Sequence, residues 1–429
     1  MRRRFYMGAN LERAVAISDL RARMHRRLPN FVTEYIEGGA EEELTLRENR
    51  EIFSRILFRP NTLINAAGVD ASTKLFGRPL RLPVVIAPTG SNGLYWHEGD
   101  QCLARAAAAF GIPFTQSTVS NARLEDVAAL PGVRHWMQLY VFRARAFMEE
   151  LVARADAAGS EALVVTVDAA AFGNREWDRR NYGRDMDPTL ANKLDVLRRP
   201  HWMANVLARG LPTFANVADK IPPAERTYKR TASWTREQMD LAFDWSDIAL
   251  LRRIWPRRLI IKGLVTADDA ARAADAGADG VVLSNHGGRQ LDGMVSGVAT
   301  LPEVRRRVGD DFTILVDGGF RRGTDIVKAL ALGADAVMVG RATLYGLAAA
   351  GEAGVMRALA ILEQEVLRTM ALLGRLTVAD LGLDCLAARS DPLDGLAVLP
   401  AERGVRSLAR PSHGLAEQLA EQREGIGSI

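Results

Sequence analysis

Residues 162–168 read ALVVTVD, and the fold turns on how that heptad is read. Apolar residues run without polar alternation and stop at an aspartate. A strand covered by helices on both faces reads this way, as parallel strands do. RLIIKG at 258–263, GVVLSN at 280–285 and AVMVG at 336–340 repeat the pattern. With the shorter runs between them, eight strands are expected, at 84–88, 113–117, 135–141, 162–168, 259–263, 280–285, 313–319 and 336–341. Alanine-rich helical stretches separate most of them, among them 99–110, 144–158, 267–276 and 322–332. Strands alternating with helices pair in parallel, and eight such units close a (β/α)8 barrel. A doubly wound sheet would carry G-x-G-x-x-G after its first strand, and none stands there. The expected fold is therefore α/β, a TIM barrel over 81–385. A capping segment (a helical start and a hairpin) covers 1–80, a long insertion follows strand four at 175–245, and a tail rich in Arg, Gly and Pro covers 386–429.

Composition narrows the function classes. The 429 residues are 48% apolar and 25% charged, which excludes a disordered or collagenous chain. Lys and Arg number 56 against 52 Asp and Glu, so no basic excess points to nucleic acid. Cys102 and Cys385 are the two cysteines; they exclude a disulfide framework, favour a reducing compartment and lack zinc-ligand spacing, so no metal is expected. Arg2–Arg4 resemble the start of a signal peptide, but Glu12, Arg13, Asp19 and Arg21 occupy the place of its apolar core. No apolar run reaches roughly 18 residues, so no spanning helix is expected and the default location is cytoplasmic.

The chemistry gathers where strands exit into loops. Those exits read Pro88-Thr89-Gly90, Gln116-Ser117-Thr118, Gln138-Leu139-Tyr140, Thr166-Val167-Asp168, Lys262-Gly263, Ser284-Asn285-His286-Gly287-Gly288-Arg289, Asp317-Gly318-Gly319 with Arg321 and Arg322, and Gly340-Arg341. Polar residues at one end of all eight strands predict a polar ligand there, since burying them unpaired is costly. Gly318-Gly319 and Gly340-Arg341 suit a phosphate: glycine lets backbone N–H groups approach, and arginine adds forked donors. The plainer alternative is a pair of tight turns. Of six histidines, only His286 sits at a strand exit beside glycines and a cation, Arg289. Histidine can act as a base near neutral pH, arginine can grip a carboxylate, and Asp168 could orient the ring from across the barrel. Together they suggest an anionic substrate that loses a proton to His286.

SNHGGRQLDG at 284–293 closely resembles the signature of the FMN-dependent α-hydroxy-acid dehydrogenases and oxidases. The resemblance runs over roughly 25–375, through EYIEGGAEEELTLREN, IAPTG, QLYV, TVD, IIKG, DGGFRRGTDIVKALALGA and GRATLYGLA. In the insertion, RRPHWMANVLARGLPTFANV looks most like the membrane-associated (S)-mandelate dehydrogenases, with quinone-linked L-lactate dehydrogenases next. The resemblance implies FMN and a TIM barrel, His286 as base and Asp168 as its partner. It implies Arg289 and Arg175 on the substrate carboxylate, with Tyr35 and Tyr140 bonding the carboxylate or hydroxyl. Lys262 would sit by the flavin N1/C2 carbonyl, where a cation favours the reduced ring. Ser117, Gln138 and Thr166 would border the isoalloxazine, Pro88, Thr89 and Gly90 its N5 side, and Asp317 the ribityl chain, with Ser284 also binding the cofactor. Gly318, Gly319, Arg321, Gly340 and Arg341 would hold the phosphate.

The implied reaction oxidises an (S)-2-hydroxy acid, mandelate-like ahead of lactate, to the 2-oxo acid, by hydride or by carbanion. Gly90 stands where many oxidases carry alanine, which favours a quinone or other carrier over O2. Val119 replaces an aromatic residue of several members, and Ile36 a second tyrosine. A homotetramer follows by analogy. The rival readings are a lactate dehydrogenase or an oxidase, a different FMN barrel such as an isomerase, and a silent barrel kept as a scaffold.

Within 190–211, Leu190, Leu194 and Leu197 share one helical face, and Trp202, Met203, Val206 and Leu207 form a second after Pro200. Periodicity alone favours packing on the barrel or a neighbouring subunit. The resemblance shifts the reading toward peripheral contact with the inner face of the cell membrane, with Trp202 near the headgroups and basic residues toward anionic lipid.

Overall fold

Eight parallel strands close on themselves in the computed structural model, which describes residues 4–182 and 187–388. They are β1 (Val84–Ile86), β2 (Phe114–Gln116), β3 (His135–Tyr140), β4 (Ala162–Thr166), β5 (Arg258–Leu264), β6 (Gly280–Leu283), β7 (Thr313–Val316) and β8 (Ala336–Val339). Each pairs with its sequence neighbours, and β8 returns to β1. The TIM barrel is thus the one expected, but most strands end two or three residues short of their apolar runs. Thr89, Asp168, Asn285, Gly319 and Arg341 lie past the ladder. Gly318, Gly319 and the run His286–Gly288 take positive φ, a conformation no strand uses.

Alternate residues explain the unbroken apolar runs. Val85, Val164, Ile260, Val282, Leu315 and Met338 point into the barrel around Trp136, while Ile86, Leu163, Val165, Ile261, Val281 and Val339 pack against the helices outside. The hairpin Thr73–Leu75/Arg78–Leu80 plugs the amino end. It adds Leu75 and Leu80 to the interior and sets Phe76 6.1 Å from the Trp136 ring. Its turn puts both Phe76 and Gly77 at positive φ, the twist a two-residue hairpin needs.

The helix Arg341–Leu373 is long and apolar enough to cross a bilayer by composition. It is broken at Ala350–Gly351 and packs on Ile17–Arg27, Gly99–Phe110 and Gly323–Ala331, so it serves as a core helix. Leu386–Ala388, placed with the tail on sequence grounds, pair antiparallel with Ile56–Phe58. The remainder of that tail, 389–429, lies outside the described residues.

Two segments reach the carboxyl rim from outside the repeat. The helix Leu44–Arg55 begins on Asp292, whose carboxylate accepts from Leu44 N (3.1 Å) and Thr45 N (2.8 Å); a carboxylate there suits the helix start. This draws residues 38–49 across the loop after β6. The insertion contributes Glu176–Arg180, Leu190–Leu197, Pro200–Asn205 and Tyr228–Glu237. Here one expectation is overturned. Trp202 is not a surface anchor: it is 3% exposed, its indole N–H donates to Leu94 O (2.7 Å), and its ring meets Phe31 edge-on at 6.0 Å. Val206 is buried as well. With Pro200 opening a new helix, Trp202 and Val206 of the second face turn inward, while Leu207 stays exposed with Leu190, Leu194 and Leu197.

Candidate active site

The turn after β6 sets the geometry. Ser284 Oγ accepts from His286 N (3.0 Å), and His286 adopts φ +57, followed by two left-handed glycines. A left-handed histidine is uncommon, and such strain concentrates at functional sites. The ring Nδ1 lies 2.9 Å from Asp168 Oδ1, and Tyr140 stacks on it at 6.5 Å and 15°. Asp168 reaches the ring because β5 bulges at Gly263 (φ +108), where a Cβ would fall 2.7 Å from the Asp168 side chain. Burial raises the Asp168 carboxyl, but the His286 ring and then Lys262 outweigh it, and the net shift is downward.

Lys262 is 4% exposed; its ammonium meets Asp317 Oδ2 (2.8 Å) and Ser284 Oγ (2.7 Å). Burial lowers its pKa, Asp317 and Asp168 raise it more, and the net shift is upward, so the cation persists. The N-terminal segment is tied to the same turn. Asn49 and Asn285 exchange two amide hydrogen bonds (2.8 and 2.9 Å), and Gly288 O accepts from Ala40 N (2.9 Å). Nothing in the sequence singled out Asn49; only its burial in a long-range amide pair marks it.

These elements enclose a cavity of about 220 Å³, many times the roughly 30 Å³ share of one water. Pro88, Thr89, Gly90, Gln138, Thr166, Lys262, Asp317, Gly318, Gly319, Arg321, Gly340 and Arg341 line it, as do Tyr35, Tyr140, Arg175, His286 and Arg289. Three expected residues stand one layer behind the wall. Asp168 backs His286, as expected of a partner. Ser117 and Ser284, expected as direct contacts, instead brace others: Ser117 Oγ donates to Gln138 Oε1 (3.2 Å), and Ser284 holds Lys262 and His286.

Sequence reasoning missed the roof. Phe172 and the insertion's Asp178, Tyr182, Phe214, Tyr228, Ala232, Thr235 and Arg236 complete the cavity. The signal was available in Tyr228, Ala232 and Thr235, which recur at i, i+4 and i+7 on one helix face.

The cations are held by backbone. Arg289 donates to Tyr35 O (2.8 Å) and Gly38 O (3.0 Å) and lies over the Tyr35 ring. Arg341 donates to Ile36 O, Gly287 O and Gly38 O; burial, then Arg289 and Arg321, push it down to about 9. Burial and the neighbouring Arg289 likewise depress Arg175. Such crowding of positive charge is relieved by anions.

The FMN-dependent dehydrogenase family matches residues 24–388. The chain belongs to that family. (S)-Mandelate dehydrogenase of Pseudomonas putida is 41% identical over 371 residues, covering 86% of this chain and 93% of the relative. An L-lactate dehydrogenase of Pectobacterium atrosepticum is 42% identical over 382 residues, covering 89% and 99%. The crystal structure of a monotopic membrane protein, (S)-mandelate dehydrogenase, superposes with a TM-score of 0.84 at 40% identity, covering 88% of this chain and all of the other.

This FMN-dependent dehydrogenase oxidises a 2-hydroxy acid. Its cavity fits the cofactor. Gln138 Nε2, Thr166 Oγ1 and Asp317 Oδ1 are buried without hydrogen-bond partners among the described residues, and all three residues line it. Buried polar atoms are rarely left unmet, and a flavin ring edge and ribityl chain offer partners for all three. Gly318, Gly319 and Gly340 line the cavity beside Arg321 and Arg341, where a phosphate would find backbone N–H and guanidinium donors, and the bare α-carbon of Gly319 also admits Asn49 O.

Proposed function

We propose that the enzyme oxidises an aryl (S)-2-hydroxy acid of the mandelate type and passes the electrons to a lipid-soluble quinone rather than to O2. One observation carries the substrate: the wall beside Arg175, Arg289 and His286 is aromatic, with Phe172, Tyr182, Phe214 and Tyr228 facing the cavity and Phe214 edge-on to Tyr228 at 5.4 Å. A phenyl ring would cover that surface; the methyl group of lactate would leave most of it wet. Roughly 25 cal/mol per Å² of covered apolar area orders the two substrates.

The residues divide the work as follows. Arg175 and Arg289 grip the carboxylate, and Tyr35 and Tyr140 add hydroxyl donors. Asp168 accepts Nδ1–H of the neutral His286 ring, which leaves Nε2 free to take the proton, from the hydroxyl or from the α-carbon. The same carboxylate then stabilises the imidazolium. Gln138, Thr166 and Asp317 hold the flavin, and Lys262 favours negative charge on it. Gly318, Gly319, Arg321, Gly340 and Arg341 hold its phosphate. FMN, when bound, accepts the two electrons.

Two observations support the acceptor and the location. A Cβ on Gly90 would fall 2.5 Å from Val119 Cγ2, so the glycine that typifies members slow with oxygen is also sterically preferred here. Leu190, Leu194, Leu197, Leu207 and Leu211 are exposed, with Lys193, Arg198 and Arg209 among them, as a membrane-surface segment requires. We place the enzyme on the inner face of the cell membrane. Exposed Leu57, Leu63, Ile64, Leu372 and Leu383 supply apolar surface for a homotetramer.

The test is anaerobic bleaching of the bound flavin by mandelate and lactate, then turnover with a quinone analogue and with O2. Lactate bleaching at least as efficiently as mandelate would reverse the substrate order. Equal turnover with O2 would remove the acceptor assignment. Sedimentation with anionic vesicles, before and after deletion of 190–211, tests the membrane contact, and light scattering after gel filtration tests the tetramer.

A further inference from the structure

Among the described residues, five arginines line the active-site cavity with no carboxylate within 4.0 Å of their guanidinium groups: Arg175, Arg289, Arg321, Arg341 and Arg236. Arginines elsewhere in the chain often find acids, as Arg305 finds Asp335 and Arg145 finds Asp240 and Asp247. A phosphate accounts for Arg321 and Arg341, and one substrate carboxylate for Arg175 and Arg289. Arg236 has no assigned anion.

Its setting is that of a ligand contact. Arg236 projects from the helix Tyr228–Glu237 on the side that lines the cavity, and its guanidinium stands over the Phe172 ring at 5.7 Å. Among the described residues its guanidinium makes no hydrogen bond, and the side chain is exposed, so its N–H donors face solvent and the cavity. Among the described residues, the acid that lines this end of the cavity is Asp178, half-buried, with Oδ1 closed to solvent and without a hydrogen-bond partner. Burial raises the Asp178 carboxyl; Arg289 and Arg175 oppose this more strongly than Arg236 does. The net shift is upward, and Asp178 is shared among all three guanidiniums rather than paired with Arg236. Among the described residues, one substrate carboxylate and Asp178 face three guanidiniums at the substrate end, and Arg236 is the one with neither a side-chain hydrogen bond nor an assigned anion.

We propose that Arg236 forms a third anion subsite and selects 2-hydroxy acids whose aryl ring carries a second acidic group at the end remote from the reacting carbon. This rests on the aryl reading above. Phe172, Phe214 and Tyr228 flank the ring, and the ring carries its acidic substituent toward Arg236. A second carboxylate there gains a charge-assisted, two-pronged hydrogen bond. The cation is solvent-accessible, so the gain is moderated by screening.

An anion at Arg236 could also come from the electron acceptor or a lipid headgroup, so the experiment uses neither. The holoenzyme is mixed anaerobically with mandelate, 4-methylmandelate or 4-carboxymandelate in detergent-free buffer, and flavin bleaching is followed by stopped flow. The ratio of bimolecular bleaching constants, 4-carboxy over 4-methyl, should be about tenfold in the native enzyme and decline with added salt. Arg236→Gln should bring it near unity, and Arg236→Glu should invert it, with the flavin spectrum confirming folded holoenzyme. A native ratio at or below one, or a ratio that Arg236→Glu leaves unchanged, overturns the subsite while bleaching by mandelate still upholds the aryl reading. Flavin that stays bound but unbleached by all three acids overturns both.

Discussion

The cofactor end and the substrate end of this cavity are built by different kinds of chain. The cofactor end is made by short exits of β1–β8, each fixed by a ladder, and its polar residues stand where an apolar run breaks. The substrate end is roofed by the insertion, whose helices have no repeat to register against. The first kind announces itself in sequence, because eight interruptions at one end of eight strands have no packing explanation. The second kind does not, because an amphipathic helix gives the same pattern whether its apolar face meets a barrel, a lipid or a substrate.

The sharpest test of the contrast is His286→Ala. If the rim is rigid, FMN content is unchanged and flavin bleaching by substrate slows by about 10³-fold, the range of a lost general base. Loss of flavin along with the ring would show that the turn 284–289 depends on its strained histidine for its shape. A second large effect belongs to the barrel alone. Trp136, 1% exposed, fills the interior above the hairpin, so Trp136→Ala should cost about 3–5 kcal/mol in urea unfolding. A cost below about 1 kcal/mol would mean that the hairpin collapses to refill the space.

This division sets what could be read beforehand. The barrel and the pairing of His286 with Asp168 both follow from strand exits. Strand ends ran too long on sequence grounds because Asp168, Asn285 and Gly319 continue a β-like string while leaving the ladder. Ser117 and Ser284 look like ligands in one dimension but brace Gln138 and Lys262 in three. Asn49 and Arg236 were invisible: one depends on a partner 236 residues away, the other on a helix orientation that no local rule fixes.

His135 gives a smaller effect confined to the barrel. It is 3% exposed, between Ser160 Oγ and Gln116 Oε1 (both 2.8 Å), and burial pushes its pKa down to about 4. Between pH 4 and the ordinary value near 6.5, the unfolded chain binds a proton that the native one does not. Stability therefore rises with pH across that window, and the contribution fades as pH falls toward 4, by at most about 3 kcal/mol. His135→Gln should flatten the dependence of the urea midpoint over that range; an unchanged slope would assign it to other groups.

The smallest effect separates the two faces of the insertion. Trp202→Phe keeps a ring against Phe31 but removes the indole N–H that Leu94 O accepts, so about 1 kcal/mol of stability should be lost. Because Trp202 faces inward, sedimentation with anionic vesicles should not change. Leu194→Glu with Leu197→Glu should do the reverse: both side chains are exposed, so stability should hold while vesicle binding falls. If Trp202→Phe releases the protein from vesicles at undiminished stability, the tryptophan lies at the lipid surface and its inward packing is wrong. If the leucine pair changes nothing on vesicles, the membrane contact lies outside 190–197, and Leu207 and Leu211 become the next face to charge.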